Sequence, residues 1–279
     1  MPEISSLAGS AMSLSIASIN SGSNGNCYYF GNSSDAILID AGLSCKEIEK
    51  RLARLNLSLE SVKAIFISHE HSDHIFGVAG IHKKYNTPFY MASETWNSGN
   101  LKIPYNSINS LQPIQIGSLT VLPFPTSHDA ANPHMYTVTS GNITAGVFTD
   151  LGYACNHVKE HFSNCHAAFL ESNYDDTLLE NGYYPEFLKN RIRSERGHLS
   201  NLQALEIFKN YKSDNLSHLF LSHLSKENNS AEKVLELFNK ASDHTQVFVA
   251  ERTRNSELIH LDLQEPRIQR TKGTQLKLF

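Results

Sequence analysis

The sequence predicts an α/β protein in which two packed β-sheets lie between outer layers of helices. Short apolar segments, many of them β-branched, alternate with amphipathic helical segments in both halves of the chain. Candidate functional side chains also recur directly after predicted strands, where strand ends meet along one edge of a sheet. The 279 residues suffice for one large domain or two small ones.

Composition and charge exclude several classes of protein. Hydrophobic residues make up 40% and charged residues 19%, as in ordinary globular proteins. The net charge of −4 excludes a uniformly basic nucleic-acid binder but allows a local basic groove. The four cysteines show no C-x-x-C spacing, which indicates a reduced cytoplasmic protein without a cysteine zinc site. No apolar run approaches the ~20 residues of a membrane span, and no signal peptide is evident.

The first half of the chain contains alternating strand and helix signals. Ser44 and Glu47 form a predicted capping box, and the helix that follows has an apolar stripe at Ile48, Leu52 and Leu55. Further helices are predicted over residues 75–85 and 92–97. The predicted strands are a segment beginning at Leu14, then residues 27–30, 36–39, 64–67 and 88–91.

The second half repeats this rhythm. Ser140-Gly141-Asn142 predicts a hairpin turn. Ser200 is the predicted cap of one helix, and residues 231–241 form another. The predicted strands are residues 119–122, 134–139, 143–149, 167–170, 219–221 and, as the last strand, 246–249. We expect residues 1–11 to be a leader or a vector remnant, residues 12–263 to be the folded domain, and residues 264–279 to be a polar, basic tail.

Residues 68–74, Ser-His-Glu-His-Ser-Asp-His, form the densest group of candidate ligands in the chain. They lie between a predicted strand and a predicted helix, on a loop where side chains can converge without the fixed spacing of a helix. Imidazoles and a carboxylate suit a first-row divalent metal. A histidine-rich surface loop is the alternative, but the density of ligands favours a metal site. The four candidates are His69, His71, Asp73 and His74.

Other candidate ligands directly follow predicted strands elsewhere in the chain. Because neighbouring strand ends lie along one rim of a sheet, these groups can converge despite their separation in sequence. A single residue of this kind is more often structural than a metal ligand. The prediction therefore rests on the occurrence of all of them after strands. They are Asp40, His128, Asp150, Glu171 and His223.

The order of these motifs, His-x-His-x-Asp-His at residues 69–74 with Asp40 before it and His128, Asp150 and His223 after it, resembles the metallo-β-lactamase-fold hydrolases. The resemblance covers residues 14–250. It implies an αββα four-layer sandwich with a two-metal site on one edge. Two divalent ions ~3.5–4 Å apart can hold a bridging hydroxide as nucleophile and stabilise charge on a phosphoryl or carbonyl oxygen.

The same resemblance implies a role for each ligand. The first ion would be bound by His69, His71 and His128. The second ion would be bound by Asp73, His74 and His223. Asp150 would bridge the two ions, and Asp40 would orient the metal loop through hydrogen bonds. A ligand set of nitrogen and oxygen atoms suits Zn²⁺, Mn²⁺ or Fe and does not choose among them.

Glu171 and His198 resemble a pair found in the transfer-RNA 3′-processing endonucleases of this fold, in which a Glu holds a His that donates a proton. Cleaving a phosphodiester expels an alkoxide that needs a proton, and a His oriented by a carboxylate is a suitable general acid. The alternative is that His198 is a structural residue at the start of a helix.

A basic run leads into His198. A solvated helix face is the usual explanation of such a run, but its position beside the predicted acid, in a chain of net negative charge, favours contact with a phosphate backbone. The basic residues are Lys189, Arg191, Arg193 and Arg196.

Four separated phrases, at residues 21–27, 171–173, 197–201 and 221–229, resemble the WalJ (YycJ) branch of this fold, bacterial metallo-hydrolases associated with 5′-to-3′ DNA exonuclease activity. The resemblance implies a DNA exonuclease, with a role in DNA repair, that acts through Asp73, Glu171 and His198. RNA remains open as a substrate. Alternatives are an RNA endonuclease, a hydrolase of small phosphodiesters, esters, thioesters or lactones, and a non-catalytic metal-binding regulator.

The last five residues, Gln-Leu-Lys-Leu-Phe, form an apolar cluster after the basic tail segment. They resemble the pentapeptide with which bacterial replication and repair proteins bind the DNA sliding clamp, although Lys277 departs from the usual residue at the middle position. The alternative is a terminal strand that packs on the domain. The predicted clamp contacts are Gln275, Leu276, Leu278 and Phe279.

Overall fold

Two seven-stranded β-sheets form the centre of residues 13–262, the part of the chain that the computed structural model describes. Each strand predicted from the sequence is present, with its ends shifted by a few residues. In chain order the strands are β1 (Ser13–Asn20), β2 (Cys27–Gly31), β3 (Ala36–Ile39), β4 (Val62–Phe66), β5 (Phe89–Met91), β6 (Asn106–Ser107), β7 (Ile114–Ile116), β8 (Leu119–Pro125), β9 (His134–Ser140), β10 (Ile143–Phe148), β11 (Ala167–Glu171), β12 (His218–Ser222), β13 (Gln246–Val249) and β14 (Ile259–Asp262).

The helices lie on the outer faces of the sheets. Ser200, predicted as a cap, forms a complete capping box with Gln203. Of the capping box predicted at Ser44 and Glu47, the structure shows one bond, from Glu47 N to the Ser44 side chain. A short 3₁₀ helix, Leu59–Ser61, precedes β4. The α-helices are α1 (Cys45–Ala53), α2 (Ser72–Ile75), α3 (Val78–Tyr85), α4 (Ser93–Ser98), α5 (Asn156–Phe162), α6 (Asp176–Asn181), α7 (Glu186–Arg193), α8 (Asn201–Tyr211) and α9 (Ala231–Asn239).

Strand direction brings several strand ends to one edge of the molecule. The spatial order is β14-β1-β2-β3-β4-β5-β6 in the first sheet and β13-β12-β11-β10-β9-β8-β7 in the second. Strands β3 to β6 run parallel to one another, as do β10 to β13. Their carboxyl ends therefore line one rim in each sheet, which is where loops can combine side chains from distant parts of the sequence.

Three apolar layers stabilise this arrangement. Between the sheets, Tyr28 and Phe30 pack against Phe169, with ring centroids 4.9 and 6.0 Å apart. Helices α1 and α3 cover the outer face of the first sheet. Helices α5, α8 and α9 cover the second, where Phe208 of α8 contacts Phe238 of α9. The predicted αββα sandwich is thus confirmed.

The prediction differs from the structure in several details. Strand 246–249 is not the last, because β14, a strand of only four residues, pairs antiparallel with β1. Strands β6 and β7 and helix α5 were not predicted. The helix predicted over residues 75–85 is two helices, because Gly77 N donates to Ala41 O at 2.7 Å and a Cβ on Gly77 would clash with that loop. Asp73 and His74 consequently lie on the single turn of α2.

Two regions predicted from the sequence lie outside the described residues: the leader at residues 1–11 and the tail at 264–279, including its terminal pentapeptide. No helix between residues 13 and 262 combines the length and apolar character needed to cross a bilayer.

A buried carboxylate joins the two sheets at the rim opposite the parallel strand ends. Asp35, in the turn between β2 and β3, accepts hydrogen bonds from Ser118 N at 2.8 Å and Ser34 Oγ at 3.0 Å, and it pairs with Lys63. Ser118 belongs to the turn between β7 and β8 of the other sheet. The bond from Lys63, together with those from Ser118, holds the pKa of Asp35 well below its ordinary range.

We predict that Asp35→Ala lowers the free energy of unfolding by about 1–3 kcal/mol near neutral pH, because it leaves Ser118 N without its acceptor. A depressed pKa stabilises the fold above the unfolded value of ~3.9. The difference between wild type and variant should therefore shrink as the pH falls below about 4. Urea denaturation at several pH values measures this. Glu206→Ala, at an exposed position of α8, is the control, and an equal effect there would contradict the prediction.

Candidate metal centre

The predicted ligands converge at the rim formed by the parallel strand ends. Each is supplied by the end of a strand or by the loop that follows it, so the backbone of the sandwich determines their separation. Asp40 follows β3, residues 69–74 follow β4, His128 follows β8, Asp150 follows β10, Glu171 ends β11 and His223 follows β12.

One group of ligand atoms consists of three imidazoles. His69 Nε2 lies 3.0 Å from His71 Nδ1, and together with His128 these rings offer nitrogen atoms that all lie within 4.8 Å of one another. Hydrogen bonds on the far side of the rings fix their orientation. His69 Nδ1 bonds to Ser68 Oγ at 2.9 Å, and His128 Nδ1 donates to Gly197 O at 3.1 Å. Nε2 of His69 and Nε2 of His128 are therefore directed into the group, where Nδ1 of His71 meets His69 Nε2.

A second group adjoins the first. Asp73 Oδ2 lies 3.7 Å from His74 Nε2 and 3.8 Å from His223 Nε2. Asp150 lies between the two groups: its Oδ2 is 3.3 Å from His74 Nε2, and its Oδ1 is 3.9 Å from His128 Nε2. The arrangement brings together all seven side chains expected to bind metal.

Buried carboxylates hold the outer nitrogen atoms of the second group. His74 Nδ1 donates to Asp40 Oδ2 at 2.8 Å, and Ser68 N donates to Asp40 Oδ1 at 2.8 Å. His223 Nδ1 donates to Glu171 Oε1 at 2.9 Å. Such carboxylate–histidine contacts orient a ligand ring and raise its basicity. Asp40 occupies the orienting position expected from the sequence, whereas the contact of Glu171 with His223 was not foreseen.

Three of these residues have an unusual backbone conformation. The φ angles of Asp40, Asp150 and His223 are 61°, 60° and 55°, in the left-handed region that non-glycine residues rarely adopt. Each lies one or two residues after the end of a strand, at the rim where the candidate ligands meet. Strain of this kind costs of the order of 1–3 kcal/mol per residue and persists only where the surroundings enforce it, commonly at functional sites.

Asn26 is a site residue that the sequence reasoning missed. Its buried Nδ2 lies 3.0 Å from His74 Nε2 and 3.3 Å from Asp73 Oδ2, and its backbone N donates to Asp73 O at 2.7 Å. Gly42 lies beside this contact, where a Cβ would come within 1.7 Å of Asp73 O. The only sequence signal was the loop at residues 21–27, which was used to identify the family and not the site.

The electrostatics of the cluster favour positive charge. Burial alone lowers the pKa of His74, but the carboxylates of Asp40, Asp150 and Asp73 outweigh it and raise that pKa well above its ordinary value. Burial likewise opposes the charged form of His223, yet Asp150, Asp73 and Glu171 raise its pKa to about 10. His69, which has no carboxylate partner of this kind, has a pKa well below normal because of burial.

The donor set fits a divalent metal centre. Among the described residues, Asp150 Oδ2 and His223 Nε2 are buried ligand atoms without a hydrogen-bond partner. Buried polar atoms are nearly always paired, so two such atoms facing one cluster fit the binding of a cation. An ion would also compensate the concentrated negative charge that raises the pKa values of His74 and His223. The partly exposed side chains of His71, Asp73 and His198 mark the open side of the cluster.

His198 lies beside the cluster and is oriented by Glu171. His198 Nδ1 donates to Glu171 Oε1 at 2.8 Å, and the ring centroid is 5.2 Å from those of His128 and His223. Glu171 is fully buried, and its Oε2 accepts from the backbone N of Leu151 and Leu199 at 3.1 and 3.2 Å. The side chain of His198 is 17% exposed, so its Nε2 is available to a bound molecule.

The basic run does not form a single face. Lys189 is only 8% exposed and its ammonium donates to Glu180 O, so its assignment to phosphate contact was wrong. Arg193 pairs with Glu180 and Glu186. These contacts exist because α7 packs against the segment that contains α6.

The remaining two arginines lie at the metal rim. Arg191 pairs with Asp129 Oδ2 at 2.6 Å, and Arg196 Nε donates to His128 O at 3.2 Å. Asp129 was not assigned a role from the sequence. Its Oδ1 lies 3.2 Å from His128 Nε2, so it connects Arg191 to the first histidine group. Its position directly after His128 was the available signal.

Comparisons with known proteins agree with this geometry. The model of the family described as "Metallo-beta-lactamase superfamily" matches residues 21–165. The protein named "Exodeoxyribonuclease YycJ" of Bacillus anthracis is 36% identical over 227 residues, which cover 79% of this chain and 86% of that protein. "Exodeoxyribonuclease WalJ" of Streptococcus pneumoniae strain D39 is 35% identical over 220 residues, covering 76% and 82% respectively.

A solved structure shows the same fold at lower identity. The metallo-beta-lactamase fold protein YhfI from Bacillus subtilis superposes with a TM-score of 0.68 at 18% identity, over 88% of this chain and 99% of that one. The family predicted from the four sequence phrases is confirmed. The chain therefore belongs to the metallo-beta-lactamase superfamily of metal-dependent hydrolases, in the branch that contains the YycJ and WalJ proteins.

Proposed function

We propose that the protein is a metal-dependent phosphodiesterase that degrades DNA as an exonuclease. The observation that carries the proposal is His198, which Glu171 orients at 2.8 Å beside the candidate metal ligands. Hydrolysis of activated esters or lactones has little need of such a group, whereas the alkoxide that leaves a phosphodiester must be protonated. Both curated relatives described above are named exodeoxyribonucleases. The 5′-to-3′ polarity rests on the sequence resemblance.

Two sets of ligands would bind the two ions. His69, His71 and His128 would hold one divalent ion, Asp73, His74 and His223 would hold a second, and Asp150 would be shared. Bound ions would supply an activated water and neutralise charge on the phosphoryl oxygens.

Glu171 determines how His198 acts in the proposed reaction. By accepting from Nδ1, it places the transferable proton on Nε2, at the open side of the cluster. The same oxygen atom orients His223, so the proton donor and a metal ligand keep a constant separation.

Positive charge at the rim supports a nucleic-acid substrate. Arg191 and Arg196 flank His128, and phosphate oxygens could compete with Asp129 for the exposed guanidinium of Arg191. Lys189 is buried and Arg193 is already paired with two glutamates, so neither is proposed to contact the substrate.

The setting of the activity is also part of the proposal. The nitrogen and oxygen ligands suit Zn²⁺ or Mn²⁺, with Fe as a further candidate. The four cysteines are all unpaired, as expected in a reducing cytoplasm. There the exonuclease would serve DNA repair.

The first test concerns His198. We predict that His198→Ala lowers kcat on labelled DNA by about 10²–10⁴-fold. The loss should be much smaller on bis(4-nitrophenyl) phosphate, because 4-nitrophenolate leaves without protonation. The assay uses single- and double-stranded DNA and RNA with Mn²⁺, Zn²⁺ or Mg²⁺. His244→Ala, at an exposed histidine, is the matched control.

Equal losses on both substrates would show that His198 is not the proton donor. A wild-type protein that cleaves no DNA under any of these conditions would overturn the exonuclease proposal, and preferential cleavage of RNA would redirect it.

The second test concerns the metal ions. We predict that the reconstituted protein binds about two divalent ions per chain and that Asp73→Ala binds about one, since the three-histidine group does not depend on Asp73. Metal analysis after gel filtration measures the ratio, and Asp214→Ala, an exposed aspartate, is the control. An unchanged ratio in Asp73→Ala would exclude Asp73 as a ligand.

The third test concerns the terminal pentapeptide. We propose that residues 275–279 bind the DNA sliding clamp through Gln275, Leu276, Leu278 and Phe279. Deleting these five residues should abolish binding to the clamp in a pull-down or calorimetric titration, while cleavage of short DNA stays unchanged. Undiminished clamp binding by the shortened protein would refute the proposal.

A further inference from the structure

A cavity of about 370 Å³ opens next to the metal centre and has no part in the chemistry described above. It lies between the segment that follows β12 and the segment that follows β13. Its volume falls within the ~300–1,000 Å³ typical of small-molecule sites. The walls combine apolar side chains with polar and charged groups, which is the composition of a site that positions an amphipathic ligand.

Two residues connect the wall of the cavity to the metal site. Ser21 lines the cavity, and its Oγ accepts a hydrogen bond from His223 N at 2.8 Å. Leu224, the residue after His223, also lines it. The cavity wall therefore adjoins the backbone of His223, one of the candidate metal ligands.

Positive charge is available on the cavity wall. The side chain of Lys226 is 75% exposed, and its ammonium lies 3.6 Å from Glu227 Oε1 in a surface ion pair. Arg252 donates to Ser23 Oγ at 2.7 Å, while its buried Nε has no hydrogen-bond partner in the described part of the chain. Among the described residues, Glu251 is the one acidic residue that lines the cavity, and it pairs with Arg254, which is not part of this wall. The amino end of α9 at Ser230 and Ala231 adds a further preference for anions.

The rest of the wall suits a nucleobase. Leu224, Val249 and Ala250 provide an apolar surface, and Ser225 and Asn229 place polar groups beside it. An apolar surface with neighbouring cations matches the two parts of a nucleotide, because its base favours burial and its phosphate favours Arg or Lys.

We propose that this cavity is a nucleotide subsite, which holds the nucleotide adjoining the scissile phosphate of a DNA strand, with Lys226 and Arg252 contacting its phosphate. The inference rests on the proposed exonuclease function and deepens it. It assigns DNA binding to residues 224–226 and 249–252, on the His223 side of the metal centre, in addition to the arginines beside His128.

Steady-state kinetics with the metal-loaded full chain test the subsite. Lys226→Ala should raise KM for a single-stranded oligonucleotide roughly tenfold. The slope of log KM against log salt should also fall by about 0.7, the value for one lost phosphate contact. Cleavage of bis(4-nitrophenyl) phosphate should stay at the wild-type rate, because this small diester reaches the metal ligands without filling the cavity. Arg252→Ala, checked for folding by circular dichroism, should behave in the same way.

Lys240→Ala is the matched control, because it removes an exposed lysine at the far end of α9. The subsite is refuted if Lys226→Ala and a folded Arg252→Ala both keep the wild-type KM and salt slope while DNA cleavage continues. That result would leave the exonuclease proposal intact. A wild-type protein that hydrolyses the small diester but no DNA would overturn the exonuclease and the subsite together.

Discussion

The buried carboxylate of Glu171 is the interaction on which the candidate site depends. One of its oxygen atoms accepts hydrogen bonds from both His198 and His223, and the other accepts from two backbone amides. A carboxylate without exposure to water is stable only when its acceptors are satisfied in this way. Because Glu171 ends a central strand, the position of that strand determines where two histidines lie. These are His223, a candidate metal ligand, and His198, the proposed proton donor.

The surrounding fold must enforce a costly arrangement. Three ligand-region residues have left-handed backbones, and several carboxylates and imidazoles are buried close together. The apolar layers between and outside the sheets oppose this cost, because burying apolar surface stabilises by about 25 cal/mol per Å². At the metal rim this strain lies in residues that follow the strand ends and not in the strands themselves. Separation of a rigid sandwich from a strained rim is typical of functional sites.

The sequence was a good guide wherever a local pattern reports a local structure. Most strands from Leu14 to Val249 were predicted because apolar, β-branched runs are distinctive, and Ser200 was identified as a cap because capping involves neighbouring residues only. Prediction failed where a contact between distant segments decided the outcome. Strand β14 forms because β1 offers it a free edge, and the helix after the metal loop divides because Gly77 contacts Ala41.

The same distinction applies to the site. The residue types of the rim ligands and their positions at strand ends could be predicted from the sequence, because the alternation of strands and loops is a local pattern. Only the tertiary structure decided which partner each of them has: Asn26 beside Asp73, Asp129 beside His128, and Glu171 shared by two histidines. It also decided that Lys189 is buried and that Arg191 reaches the rim. Burial and pairing depend on groups that are brought together from remote positions only when the two sheets close on each other.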